Sequence, residues 1–183
     1  MFERRSALAG AMHGGKPGPA PLTIGEVRGD WRLWQVTAQP GSEAALQASL
    51  AAAVGPLPQR VGLATQSNGR TLMLVGPAQY LLSGSPVSIP DAEGAVVELT
   101  HARTRLFVEG AMAPEVLSRG APIDFHDSAF PVGAFAQTGI HHTGVLIHRV
   151  SAERYEIDTL RTFALTLWHW LEDACLPFGY EVK

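Results

Sequence analysis

Hydrophobic positions in the last third of the chain recur at two periods, and each period predicts a different element. Between Phe163 and Cys175 they fall at Phe163, Ala164, Leu167, Trp168, Leu171, Ala174 and Cys175, the i, i+3, i+4, i+7 spacing of an amphipathic helix. The helix is predicted from about Leu160, with Asp158 or Thr159 as its cap and with Pro177 and Gly179 closing it. At roughly 100° per residue, Trp168 and Trp170 lie on opposite flanks of the apolar stripe and His169 faces away from it. The two indoles widen the apolar arc to about 160°, and Leu165 adds an apolar group on the far side. Such a helix wants more cover than one sheet face gives. Upstream of it, Tyr155, Ile157 and Thr159 alternate with Arg154, Glu156 and Asp158, the period of a strand with one face buried and the other wet.

The same patterning organises the rest of the chain. Strands are predicted at Trp31–Thr37, Arg60–Ala64 and Thr71–Val75, the last two separated by a turn at Asn68-Gly69. A helix over Ser42–Val54 takes Ser42 as its cap and ends at Gly55-Pro56. Gly76 and Pro77 open a short predicted helix through Tyr80, Leu81 and Leu82. Val96–Thr100 and Arg105–Glu109 read as a strand pair, followed by Gly110 and a short helix through Val116 and Leu117. Three strands then follow in close order, at Ala134–His142, Gly144–Val150 and Arg154–Leu160. The stretches "RTLMLVGPAQYLLSGSP" and "TRLFVEGAMAPEVLSRGAP" both run strand, glycine, short helix, Gly-x-Pro, a weak internal echo. These elements predict an α+β protein of two small subdomains of ferredoxin-like type, with antiparallel sheets and packed helices. The Pro- and Gly-bearing stretch from Ser83 to Gly94 sets the boundary, giving an N-terminal subdomain over 26–90 and a C-terminal one over 91–183. Residues 1–25, rich in glycine and proline between Gly14 and Pro21, read as a flexible or extended arm.

Composition narrows the function classes. The 183 residues are enough for one domain or two small subdomains with a core of their own. A net charge of −3 leaves no electrostatic footprint for nucleic acid. No apolar run approaches the ~20 residues of a membrane span, and the N-terminus lacks the apolar segment of a signal peptide. The single cysteine, Cys175, allows no internal disulfide and points to a reducing compartment, the cytoplasm. Its place on the apolar stripe makes it a packing residue.

Candidate chemistry is sparse. There is no phosphate loop, no dinucleotide glycine fingerprint and no nucleophile elbow. His141 and His142 adjoin at a predicted strand end, so they point to opposite faces and cannot easily share a metal; His148 lies one strand later. Asp124 and Asp127 sit where turns or caps are expected, and Arg103, Arg105 and Arg119 are scattered. No catalytic, cofactor-binding or metal-ligating residue is assigned. The tryptophan helix leaves two readings open, a docking edge and an ordinary domain core. The first assigns a partner interface to Trp170, Leu165 and Phe178.

Two stretches together resemble one family. "EVLSRGAPIDFHDSAFPVGAFAQTGIHHTGVLIHRV" carries Leu-x-x-Gly-x-Pro-x-Asp, Phe-x-x-Gly and Gln-Thr elements, and "YEIDTLRTFALTLWHWLEDACLPFG" a strand followed by Leu-Trp-x-Trp-Leu-x-x-Ala and a terminal Phe-Gly. In order and spacing these are similar to the gamma subunit of sarcosine oxidase over residues 95–180. The resemblance implies a fold similar to the folate-binding region of aminomethyltransferases. It also implies a non-catalytic place in a four-subunit flavoenzyme that demethylates sarcosine oxidatively, with one-carbon transfer to tetrahydrofolate. Partners would be alpha, beta and delta subunits holding FAD, FMN, NAD and zinc, with no cofactor in this chain. Where an aminomethyltransferase would have an acidic pair after its Gly-Gly-x, this chain reads Thr143-Gly144-Val145, with no carboxylate. The alternatives are a small autonomous folate-dependent one-carbon enzyme, a subunit of a related N-methyl amino acid dehydrogenase, and a free-standing module for a small anion.

Overall fold

The structure is a computed structural model and describes residues 5–183. Among the described residues eleven strands form two sheets, one in each of two compact units. One unit is residues 29–100; the other joins the chain's two ends, the residues up to Arg28 and those from His101 to Lys183.

In the larger unit the strands are β1 (Leu22–Glu26), β7 (Arg103–Glu109), β8 (Phe135–Ile140), β9 (Thr143–Arg149), β10 (Arg154–Leu160) and β11 (Tyr180–Val182). They lie in the order β11-β1-β7-β10-β9-β8, all antiparallel except the β1–β11 pair. Two helices, α2 (Ala113–Ser118) and α3 (Ala164–Cys175), connect them. The order β9-β10-β7 with α2 as crossover is half of a ferredoxin-like motif. β1 takes the place beside β7 that the strand after α3 would take, and β11 pairs outside it. One face of the sheet is apolar: Leu22, Ile24, Leu106, Val108, Tyr155, Ile157, Val145 and Ile147 pack with Val116, Leu117, Leu167, Trp168 and Leu171 of the helices.

In the smaller unit the strands are β2 (Leu33–Ala38), β3 (Thr65–Ser67), β4 (Arg70–Gly76), β5 (Gln79–Ser83) and β6 (Gly94–Glu98), in the order β3-β4-β5-β2-β6 and antiparallel throughout. Helix α1 (Glu43–Val54) crosses from β2 towards β3 and buries Leu46, Leu50 and Val54, spaced i, i+4, i+8, against Val36, Leu72, Tyr80 and Leu82. This too is a ferredoxin-like arrangement, with a helix-free connection between β5 and β6.

Several local expectations change, each for a physical reason. The predicted strand at Arg60–Ala64 lies instead at β3, where the Asn68-Gly69 turn (φ 50° and 72°) sets the hairpin register. Tyr80–Leu82 is strand, not helix: Pro77 and Ala78 make a tight turn, and Tyr80 and Leu82 point to the core while Leu81 does not. With that, the internal echo fails. β6 and β7 are not a pair; they belong to different sheets, so the boundary expected at 90/91 falls after β6. The caps expected for α3 are strand residues, because β10 runs on to Leu160 and a 3-10 turn, Arg161–Phe163, leads into the helix. Ser42 sits at the start of α1, yet its hydroxyl donates to the Ala92 carbonyl at 3.1 Å rather than capping.

The expected N-terminal arm is part of the larger unit; its residues 1–4 lie outside the described residues. Leu8 is buried in the core and the Ser6 hydroxyl donates to Glu26. The backbones of Lys16 and Tyr180 exchange two hydrogen bonds of 2.7 Å, and the Ala20 N–H donates to the Phe178 carbonyl at 3.1 Å. The two backbones approach so closely that a Cβ at Gly179 (φ 82°) would collide with Gly18. Gly179→Ala should therefore cost at least ~1–3 kcal/mol from the positive φ alone. Thermal melting of the variant beside wild type reads this, and an unchanged melting point would show that the contact between the chain ends is not tight.

Candidate interaction surface

β10 and its neighbour β7 carry a chain of alternating charges on the sheet face opposite the helices. Strand pairing sets Glu109 across from Arg154 and Arg105 across from Asp158, with Glu156 between the two pairs on the same face. Arg105 grips Asp158 with both arms, at 2.6 and 2.8 Å, and reaches Glu156 at 3.3 Å. Arg154 pairs with Glu109 at 2.7 Å and lies over the Phe107 ring at 3.9 Å. Arg105, Asp158 and Phe107 are buried, so this face is not the wet one that alternation predicts. Burial opposes the Arg105 charge, but Asp158 and then Glu156 outweigh it and hold the guanidinium above its ordinary value.

His148 lies on the same face, opposite Glu156 and only 5% exposed. Its Nε2 has no hydrogen-bond partner among the described residues. Burial, and next the Arg105 charge, push it down to about 4 against a weaker pull from Asp158, so it is neutral near pH 7. His141 and His142 are not on strands at all. They form the two-residue turn between β8 and β9, His141 at φ 51°, and their rings are 4.6 Å apart rather than on opposite faces. Among the described residues no group of three or more His, Cys, Asp or Glu side chains is placed to hold a metal. Asp124 accepts the His126 N–H at 2.9 Å in a turn, and Asp127 pairs at 2.6 Å with Arg149, which also donates to the Phe130 and Ala152 carbonyls. Thr143 and Val145 are buried. The carboxylate nearest them in register is Asp158, one strand away and held by Arg105.

The three residues assigned to an interface separate. Trp170 is half-buried against the larger core, its indole filling the space where a Cβ at Gly120 would stand. Phe178 is half-buried on the same side, beneath the Arg119 guanidinium at 4.8 Å. Leu165 stands on the other flank of α3 and is 45% exposed. Trp168 is fully buried, and so is Cys175, whose thiol burial pushes up to about 12 against a smaller effect of Arg119. The cysteine is therefore a neutral packing group. Phe163, expected on the apolar stripe, is 43% exposed because it precedes the first helical turn. Sequence reasoning missed the Arg105–Asp158 pair, although equal strand phase and opposite charge are its signal.

A family model described as "Sarcosine oxidase, gamma subunit family" matches residues 89–176. A sarcosine oxidase subunit gamma of Arthrobacter sp is 34% identical over 79% of this chain and 75% of the relative. One from Corynebacterium sp. (strain U-96) is 32% identical over 94% and 88%. Among solved structures, a chain of heterotetrameric sarcosine oxidase from Corynebacterium sp. U-96, in complex with pyrrole 2-carboxylate, superposes with a TM-score of 0.77 at 29% identity, covering 95% of this chain and 96% of that one. Aminomethyltransferase T of the glycine cleavage system from Bartonella henselae superposes with a TM-score of 0.59 at 15% identity, over 90% of this chain and 48% of that one, which establishes a shared fold.

Two measurements follow from the geometry. His148 binds a proton less readily folded than unfolded, so the unfolded chain holds more protons between about pH 4 and pH 6.5. Its contribution is fully present above pH 6.5 and is lost as pH falls through that window, by up to ~3 kcal/mol at 1.36 kcal/mol per pH unit. His148→Gln should flatten the fall in melting temperature between pH 7 and pH 4.5; an identical fall in both proteins would mean His148 is not buried neutral. Trp168→Ala should cost the isolated chain ~3–5 kcal/mol as a fully buried aromatic, and Trp170→Ala distinctly less. Equal losses in chemical denaturation would contradict the burial difference.

Proposed function

Because the chain belongs to the sarcosine oxidase gamma subunit family, we propose that it is the non-catalytic gamma subunit of a heterotetrameric sarcosine oxidase. The complex oxidatively demethylates sarcosine to glycine and passes the one-carbon unit to tetrahydrofolate. The observation that carries this reading is the 32% identity to a sarcosine oxidase subunit gamma across 94% of the chain. The partners are the alpha, beta and delta subunits, which hold FAD, FMN, NAD and zinc, and the chain works in the cytoplasm. Among the described residues no helix is long and apolar enough to cross a membrane, and Cys175 is a buried free thiol.

The chemistry of the site supports a structural role. Folate-dependent transfer needs a group that holds and polarises the amine. The position Thr143-Gly144-Val145 offers none, and the neighbouring Asp158 is neutralised by a bidentate arginine. A carboxylate committed in this way is a cross-strand clamp. Docking of the subunit involves the α3 side of the larger unit, where Trp170, Leu165 and Phe178 reach the surface.

Co-expression with the flavin-bearing subunits should give a yellow complex containing this chain. Calorimetric titration of the isolated chain should detect no saturable binding of tetrahydrofolate or flavin, and micromolar tetrahydrofolate binding would favour an autonomous one-carbon enzyme. Replacing His141, His142 or His148 singly by Gln should leave turnover of the reconstituted complex within a few-fold of wild type. A general acid or base contributes ~10²–10⁴-fold, so a loss of that size would place catalysis in this chain.

A further inference from the structure

Helix α3 carries a second row of residues on the side away from its core. Leu165, His169, Glu172 and Leu176 follow one another at i, i+4, i+7 and i+11, so at ~100° per residue they fall within about 60° of arc. Leu176 belongs to the row because it continues the helical backbone, with φ −48° and ψ −43°. Leu165 is 45% exposed and Leu176 48%, two large apolar groups separated by ~16 Å along the axis at 1.5 Å per residue. Between them lie the exposed His169 and the half-buried Glu172, with exposed Asp173 beside the row. Leu160 and Phe163, 42% and 43% exposed, lie just before the helix begins.

The charge on this row has one sign. No Lys or Arg occurs between Ala164 and Cys175. Glu172 and Asp173 stand in the last turn of the helix, where its dipole already presents negative charge. Arg119 does reach the Ala174 carbonyl at 3.4 Å, but on the flank with Phe178. Glu172 accepts the Tyr180 hydroxyl at 3.4 Å, a neutral donor that leaves its charge in place. A surface with apolar ends and an acidic middle selects its occupant. Two copies of the row would set acid against acid, and a lipid or nucleic acid surface would meet the same repulsion. A protein groove with apolar walls and a central cation would bury the leucines and neutralise the carboxylates together.

We infer that the row Leu165–His169–Glu172–Leu176 is the docking surface for another subunit of the sarcosine oxidase-type complex, which meets it with an apolar groove bearing an arginine or lysine opposite Glu172 and Asp173. The inference rests on the subunit reading above and moves the anchor from Trp170 and Phe178 to the opposite flank of α3. The double variant Leu165→Asp/Leu176→Asp should melt within a few degrees of wild type as an isolated chain. Its affinity for the flavin-bearing subunits in size-exclusion co-elution should fall at least tenfold. Glu172→Lys should also weaken assembly, most at low salt. Hydroxyl-radical footprinting of the unaltered complex should show Leu165 and Leu176 protected from oxidation relative to the isolated chain, and this decides the matter if the double variant does not fold. Failure of the wild-type chain to co-elute with those subunits overturns the subunit reading and this docking surface with it. Assembly of wild type and double variant alike, or leucines that stay oxidisable in the wild-type complex, overturns the docking surface alone.

Discussion

β1 contributes five residues, yet it joins strands from the other end of the chain into one sheet: it pairs antiparallel with β7 on one edge and parallel with β11 on the other. Because β1 stands between them, the larger unit cannot complete its sheet until residues from the N-terminal 30 and from beyond Tyr180 have met. The contact tolerates little bulk. At Gly25 a side chain would run into the Lys183 carbonyl and the Phe107 ring, and at Gly15 and Gly18 into the backbone of Tyr180 and Phe178. Glycine here serves close approach of two backbones. Pairings of such sequence separation carry a larger loop-closure cost than the β8–β9 and β9–β10 hairpins.

That constraint also explains which parts of the fold were legible. Elements marked by local signals are legible: α1 from its Ser42 start and Gly55-Pro56 stop, α3 from Leu167, Trp168 and Leu171, and β10 from the alternation of Tyr155, Ile157 and Thr159 with charged residues. Segments held by backbone contacts from distant residues are not. The stretch from Lys16 to Pro21 has no periodic side chains, and its hydrogen bonds go to Phe178 and Tyr180, which only the fold brings near. Tyr80–Leu82 was misread because three consecutive apolar residues fit either element. What decided for strand was pairing on both sides, with β2 and β4. β6 and β7 follow one another in sequence, and nothing local says that each belongs to a different sheet.

At the candidate surface the split runs along the same line. Helical spacing alone puts Trp168 and Trp170 on opposite flanks of the apolar arc; the structure buries Trp168 fully and Trp170 only in part. Spacing could not tell that Gly120 leaves the space Trp170 fills, or that Arg119 covers Phe178. A strand-to-helix junction and a capped helix look alike in sequence, so Asp158 and Thr159 both read as helix caps; the partner of Asp158 sits 53 residues earlier. The motif that marks the family is therefore mostly architecture. In "LTLWHWLEDACLPFG" Leu167, Trp168, Leu171 and Cys175 fill a core, and the final glycine lets the chain turn under the N-terminal segment.

The smaller unit enters the chain between two strands that are already neighbours. Glu26 pairs with Leu106, and the Val27 N–H donates to the Arg105 carbonyl at 2.8 Å, so the chain leaves for residues 29–100 and comes back at adjacent points of one antiparallel ladder. In topological terms β1 and β7 pair like the arms of a hairpin whose connection is a whole folded unit. Lengthening a loop costs little, ~0.6 kcal/mol per doubling, and the smaller unit has its own core in Val36, Leu46, Leu50, Leu72, Tyr80 and Leu82. Its core is thus built from its own residues, and the length of this insertion adds little to the cost of closing the β1–β7 pair. In the larger unit, by contrast, Lys16–Leu22 and Phe178–Tyr180 have to fit each other backbone to backbone.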